Sequence, residues 1–263
     1  MHYDFLFFSY IAERLAMTAF ILNTIAFKDL LDTGINQAEL VTRVKDMGFN
    51  AIEIRNEYLT GELDELHQIA ENAMAANLDV YYSVNDILVV GSEINPKIDR
   101  YYQEMKALNS RHLKMNIGDL SALKFDLFVK RLTDLMDGSF ELTLENNQTL
   151  SDSSLDTTRA FFQIISNTSL KDIHYCFDIA NWKWLDAEPV EAAKALAPVT
   201  TYLHLKNMKK IDGRLEVTSL EEGEIDWLEL LGEFTGINSM GLEYFGDPAT
   251  IKQDLQRLKA VVN

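Results

Sequence analysis

Residues 173–207 read IHYCFDIANWKWLDAEPVEAAKALAPVTTYLHLKN, and this stretch decides the fold. An apolar run ends on an acid, Asp178. An amphipathic helix follows, opened by Glu188-Pro189. A second apolar run ends on His204, with Lys206 two residues beyond it. Two strands of one sheet joined by a helix run parallel, because the helix carries the chain back to the end it left. Asp178 and His204 therefore stand side by side at one sheet edge. A carboxylate and an imidazole placed that way are two metal ligands or an acid–base pair.

The same grammar repeats outward from this unit. Residues 18–26 (TAFILNTIA), 50–55 (NAIEIR), 78–84, 112–116 and 140–145 (FELTLE) read as strands, and residues 239–245 as the last. Helical stripes occupy 36–47, 62–76, 96–108, 120–136 and 154–165, and two more helices open at Asp226 and at Asp247-Pro248. Asn36 with Glu39, and Asp226 with Glu229, have the spacing of capping boxes, and Pro248 sits at a first helical position. Strands and helices alternate eight times with no Pro/Gly/Ser-rich linker. That pattern predicts an α/β protein, a single (β/α)8 TIM barrel over residues 17–263. The alternative, an open doubly wound sheet, would carry a glycine-rich turn after its first strand, and none is present.

The chain has 263 residues and a formal net charge of −17, which repels phosphate backbones and argues against a nucleic-acid partner. No apolar run reaches the roughly 18 residues of a membrane span. The single cysteine, Cys176, rules out an internal disulfide and fits a cytoplasmic protein. Residues 1–16, MHYDFLFFSYIAERLA, lack the basic start and cleavage site of a signal peptide. They read either as an extension ahead of a start at Met17 or as a helix packed on the barrel floor.

In such a barrel the chemistry sits at the carboxyl ends of the strands. Those ends offer Glu53 and Arg55, then Lys114 and Asn116, then Glu145 followed by Asn146, Asn147 and Gln148. Next come Asp178 and Asn181, His204 and Lys206, and finally Glu243. Glu145, Asp178, His204 and Glu243 fall on four consecutive strands and would converge above the barrel axis. Three carboxylates and one imidazole suit a single divalent ion, manganese first, then magnesium, cobalt or zinc. Any one of the four alone reads better as a helix cap or a structural histidine; the set of four favours a site. His112 and His174 read as polar core residues rather than ligands. Trp182 and Trp184 either wall a substrate pocket or pack their loop.

The segments GFNAIEIR (48–55), LTLENNQT (142–149), CFDIANW (176–182), YLHLKN (202–207) and GLEYFG (241–246) together resemble the xylose-isomerase-like TIM barrels, the sugar phosphate isomerase/epimerase group. The resemblance spans residues 17–260. It implies one divalent metal held by Glu145, Asp178, His204 and Glu243. Where many members carry histidines, this chain has Asn147 and Asn181. The strand-seven and strand-eight segments are also similar to the bacterial 3-dehydroshikimate dehydratases, in which a lysine matching Lys206 belongs to the active site and an arginine stands near the place of Lys114. Endonuclease IV, with its histidine-rich three-zinc site, is a poorer match, since this chain has five histidines and an acidic charge.

The expected function is a metal-dependent isomerase or epimerase of a small sugar, sugar phosphate or related polyol-ketone, working through an enediolate. A dehydratase of the 3-dehydroshikimate or inosose type is the alternative, and a non-catalytic sugar-binding barrel the second. Glu145 and Glu243 are the expected bases, with Lys206 an electrostatic contact to the substrate. Glu53, Arg55, Lys114, Asn147, Asn181 and Trp182 are the expected substrate-binding residues. The expected partner is a small carbohydrate or keto-acid, with no nucleic acid and no membrane; a homo-oligomer is compatible with all of this.

Overall fold

A computed structural model of the chain describes residues 18–185 and 187–262. Residues 1–16 and Met17, and with them the reading of the start, lie outside the described residues. Eight strands close a barrel: β1 (Ala19–Asn23), β2 (Ala51–Arg55), β3 (Asp79–Ile87), β4 (His112–Asn116), β5 (Glu141–Glu145), β6 (Ile173–Asp178), β7 (Thr200–Leu205) and β8 (Ser239–Leu242). All eight neighbour pairings are parallel, and Asp178 is paired with His204 across β6 and β7. The principal helices on the outside are α1 (Leu40–Asp46), α2 (Leu63–Ala76), α3 (Ile98–Ala107), α4 (Phe125–Leu135), α5 (Leu155–Ser166), α6 (Pro189–Leu196), α7 (Trp227–Leu231) and α8 (Pro248–Val262). The single (β/α)8 barrel is therefore the fold observed.

Alternation along the strands divides the side chains between two environments. Outward-facing Leu22, Ile52, Tyr82, Leu142, Phe177 and Leu203 join the helix faces in the main apolar core. Inward-facing Ile21, Ala51, Tyr81, Cys176 and Tyr202 make only a small second cluster. The rest of the barrel interior is polar. His112 and His174 begin their strands, partly exposed at the amino-terminal end of the barrel beside Glu141, far from the carboxyl ends. Their place at strand starts is what keeps them out of the ligand set.

Several boundaries differ from the sequence reading. The first strand stops at Asn23, because the Asn23 side chain accepts from the Ile25 amide and opens a 3-10 turn at Thr24–Phe27. Two hairpins, Val89–Val90 with Glu93–Ile94 and Asn207–Ile211 with Arg214–Thr218, interrupt the βα alternation. The second has a two-residue turn at Asp212-Gly213, both with positive φ, the Asp-Gly signature of a tight hairpin.

Gly241 faces the barrel interior on β8. A Cβ there would lie 2.6 Å from the Tyr202 hydroxyl. That hydroxyl donates to Glu53 at 2.9 Å, so the missing side chain makes room for a buried contact. Gly241→Ala should lower stability by about 1–3 kcal/mol, the range for overpacking a filled interior. Urea unfolding measures it, and combination with Tyr202→Phe should cost less than the sum of the two changes.

Candidate metal centre

The carboxyl ends of the strands surround a cavity of about 500 Å3, lined among others by Arg55, Lys114, Glu145, Asn147, Asn181, Lys206 and Glu243. Asp178 and His204 lie directly beneath it, both without solvent exposure. Glu145, Asp178, His204 and Glu243 each present one donor atom, and these atoms lie within 4.8 Å of one another. Seven of the nine side chains expected to bind substrate or catalyse thus line one cavity, and the four expected ligands converge at its floor.

Each ligand is aimed by its surroundings. Asp178 Oδ1 accepts the backbone amides of Ala180 and Asn181, both at 2.9 Å, so the turn after β6 fixes the carboxylate. Asp178 Oδ2 is buried and takes no amide or hydroxyl donor; it forms an ion pair with Lys206 Nζ, 2.6 Å away. Asn146 ties the β5 and β6 ends together, donating to the Asp178 carbonyl and accepting from its amide. On β7, His204 turns Nδ1 toward Glu145, with Glu243 Oε2 at 3.3 Å. Its Nε2 lies 2.8 Å from Glu53 and 3.0 Å from the Tyr202 hydroxyl. Nδ1 is thus the nitrogen that faces the other three donors, and Nε2 the one held from behind. Such a carboxylate behind a ligating histidine sets its tautomer and ring angle.

The site is electrostatically dense. Lys114 pairs with the second Glu145 oxygen, Lys206 Nζ lies 2.8 Å from Glu243 Oε2, and Arg55 lies 2.7 Å from Glu243 Oε1. Burial pushes the Glu145 and Glu243 carboxyls up, but His204 with Lys114, and Lys206 with His204, outweigh it and hold both below the ordinary range. Asp178 goes the other way: burial raises it to about 6 against the pull of Lys206. Burial also opposes a charge on His204, yet its surroundings, Cys176, Glu145 and Glu53, raise it well above an ordinary imidazole. The Cys176 thiol, within reach of Glu145 and His204, is pushed by burial up to about 12 and stays neutral.

The donor set fits a divalent ion. It offers three oxygens and one nitrogen, close together, one of the oxygens buried with no amide or hydroxyl donor. Two expected substrate-binding residues are placed elsewhere and are corrected here. Glu53 is fully buried, one layer below the cavity, where Asn23, Tyr202 and His204 surround it. Trp182 is fully buried and packs against Phe177, so it belongs to the loop's packing and not to the pocket wall. Conversely, Asn23, Asn85, Val217, Tyr244 and Phe245 take part without having been singled out. Asn23 scaffolds Glu53 and the other four line the cavity.

No family model matches the chain, and no curated protein matches its sequence. Solved structures do match. A probable 3-DHS dehydratase, AsbF, involved in petrobactin synthesis in Bacillus anthracis, superposes with a TM-score of 0.64 at 16% identity, over 92% of this chain and 98% of that one. D-psicose 3-epimerase from Clostridium cellulolyticum H10, solved with D-tagatose, gives 0.65 at 11%, over 94% and 100%. The IOLI protein, solved with a zinc atom, gives 0.63 at 15%, over 93% and 98%. The fold is that of the xylose-isomerase-like TIM barrels. At these identities the likeness is one of fold, and the chemistry of this chain rests on its own residues.

Glu53→Gln keeps the shape behind His204 and removes the charge. It should weaken binding of manganese or zinc about 10–100-fold, the usual effect of losing an outer-shell partner. Calorimetric titration measures the affinity, and circular dichroism confirms that the variant is folded.

Proposed function

We propose that the chain is a divalent-metal-dependent enzyme that moves a proton beside a carbonyl, an isomerase or epimerase of a small polyol-ketone. The observation that carries this reading is the convergence of Glu145, Asp178, His204 and Glu243 within 4.8 Å at the floor of a polar cavity. The names of the neighbours, an epimerase of D-psicose and a probable 3-DHS dehydratase among them, support an enzyme of this kind. Manganese is the preferred ion, with magnesium, cobalt or zinc as substitutes.

Bound there, the ion supplies Lewis-acid polarisation of a carbonyl oxygen. The protein's residues do the rest. Glu145 and Glu243 reach the cavity from strands separated by two others, each held ionised by its cationic neighbours. One carboxylate removes the proton α to the carbonyl. Return of a proton to the same carbon from the other carboxylate inverts it, and delivery to the adjacent carbon isomerises. Lys206 and Lys114, both on the cavity wall, steady the oxygen charge that develops. The Asn146 bridge keeps the two strand ends that carry Glu145 and Asp178 in fixed relation.

A second reading, a dehydratase acting on a keto-acid, draws on the three cations at the wall, Arg55, Lys114 and Lys206, which suit an acidic substrate. There the same carboxylate removes the proton and hands it to the β-hydroxyl, which leaves as water as the C=C bond forms. The two are separated in deuterated water. Deuterium entering a ketose without loss of water supports the isomerase or epimerase; a product absorbing as a conjugated enone, or a catechol from dehydroshikimate, supports the dehydratase. Under either, removing metal with a chelator should abolish turnover, restored by manganese, and Glu145→Gln should lower kcat at least about 100-fold. Turnover unchanged by thorough chelation sinks the metal-dependent reading.

A further inference from the structure

One cation in the site occupies ground that a metal ion needs. The outer oxygens of the ligand carboxylates are already assigned. Asp178 Oδ1 is taken by two backbone amides, Glu243 Oε1 by Arg55, and the second Glu145 oxygen by Lys114. The oxygens left to face His204 Nδ1 are Glu145 Oε1, Asp178 Oδ2 and Glu243 Oε2, and the last two are the ones that also meet Lys206. Lys206 Nζ lies 2.6 Å from the Asp178 oxygen and 2.8 Å from the Glu243 oxygen. Lys114 and Arg55 can keep their partners when an ion binds, because they hold the outward oxygens. Lys206 cannot, because an ammonium and a metal ion would share the same two oxygens at contact distance.

We infer that Lys206 and the metal ion exclude each other from the Asp178–Glu243 oxygens, and that the ion turns Lys206 into the cavity as the binding group for an anionic substrate, a carboxylate or a phosphate. The inference rests on the metal-dependent reading above and adds the substrate's charge and its linkage to the metal. Lys206 already lines the cavity with Asn181 and Gln148 on the wall beside it, so the movement needed is one of its flexible stem. Charge points the same way. Arg55 stays between Glu57 and Glu243 and Lys114 stays on Glu145, whereas an ion on the Asp178 and Glu243 oxygens leaves Lys206 as the wall cation without its two carboxylate partners. A buried ammonium without a counter-ion is costly, and an anion on the substrate supplies one. Metal and anion therefore bind with positive coupling, and linkage makes the coupling reciprocal.

The test uses the full chain, stripped of metal and titrated calorimetrically with Mn(II) alone, then with sulfate or propionate, each with and without Mn(II). In the wild type, the favoured anion should bind at least about tenfold tighter with Mn(II) present, a typical coupling. Sulfate as the stronger binder points to a phosphate, propionate to a carboxylate. Lys206→Met should bind Mn(II) about tenfold tighter than the wild type, because the internal competitor is gone, and should lose the metal-linked gain in anion affinity. Lys206→Gln asks the same question should the methionine variant not fold. Mn(II) affinity that is unchanged or weakened in either variant overturns the inference, as does a metal-linked anion gain that survives without Lys206. Mn(II) binding to the wild type with either of those results leaves the metal-dependent reading standing; a wild type that binds no metal overturns both.

Discussion

Buried carboxylates are the constraint around which this barrel is arranged. Glu53 and Asp178 have no exposure, and Glu145 and Glu243 have almost none. An ionised carboxylate taken from water costs several kcal/mol unless partners restore what hydration supplied. Hence the barrel interior is not filled with hydrocarbon at its upper end. Arg55 points inward on the strand that carries Glu53, and Lys114 on β4 and His204 with Lys206 at the end of β7 point inward beside the strands that carry Glu145, Asp178 and Glu243, as the two-residue period requires. Stability comes from the apolar layer between strands and helices, which leaves the interior free to hold an arrangement that a stability argument alone would never select.

That arrangement is asymmetric in a way that assigns roles. Glu145 and Glu243 are held low by cations on both sides, whereas burial dominates at Asp178 and lifts it. Asp178 has one oxygen fixed by the turn that follows it and one left over; Glu53 has likewise one oxygen engaged by three partners and one buried without any. Glu53 cannot reach the cavity. Its effect on any reaction passes through His204, which it touches directly. Gly241 belongs to the same line of contacts, since only its missing side chain lets Tyr202 lie against Glu53.

Much of this was legible in the sequence because the strand ends carry the information. Asp178 and His204 could be paired from residues 173–207 alone, and the register confirms them as neighbours. What the period of two does not tell is depth. Glu53 and Arg55 share a face of β2, yet only Arg55 reaches the cavity. Barrel stagger pairs Glu53 with Asn23 and Tyr81 and places Arg55 level with Ser83 and, next along, Lys114. Trp182 was beyond reach for another reason: it follows the strand, and the turn folds it back under the sheet onto Phe177. The hairpin at Asn207–Ile211 was readable, since Asp212-Gly213 between alternating segments is a strong local signal. Its Val217 joins Ile25 and Phe245 as the apolar part of a wall that is otherwise mostly polar.

The two asparagines that the sequence reading set against histidines have a physical place here. Asn181 and Asn147 stand where a histidine could exchange protons, but here both amides are committed to structure. Asn181 donates to the Asn146 carbonyl, and Asn147 closes the turn at Thr149 and Ser153. They shape the cavity wall and cannot carry a proton at neutral pH. Under the proposed function, proton transfer would then fall to groups at the floor and recognition to the cations at the wall. A site with its bases fixed below and its charged contacts above discriminates by the position of the substrate's acid group relative to its carbonyl. Under the proposed function, the distance between Lys206 and the Glu145–Glu243 pair would then set which carbon loses its proton.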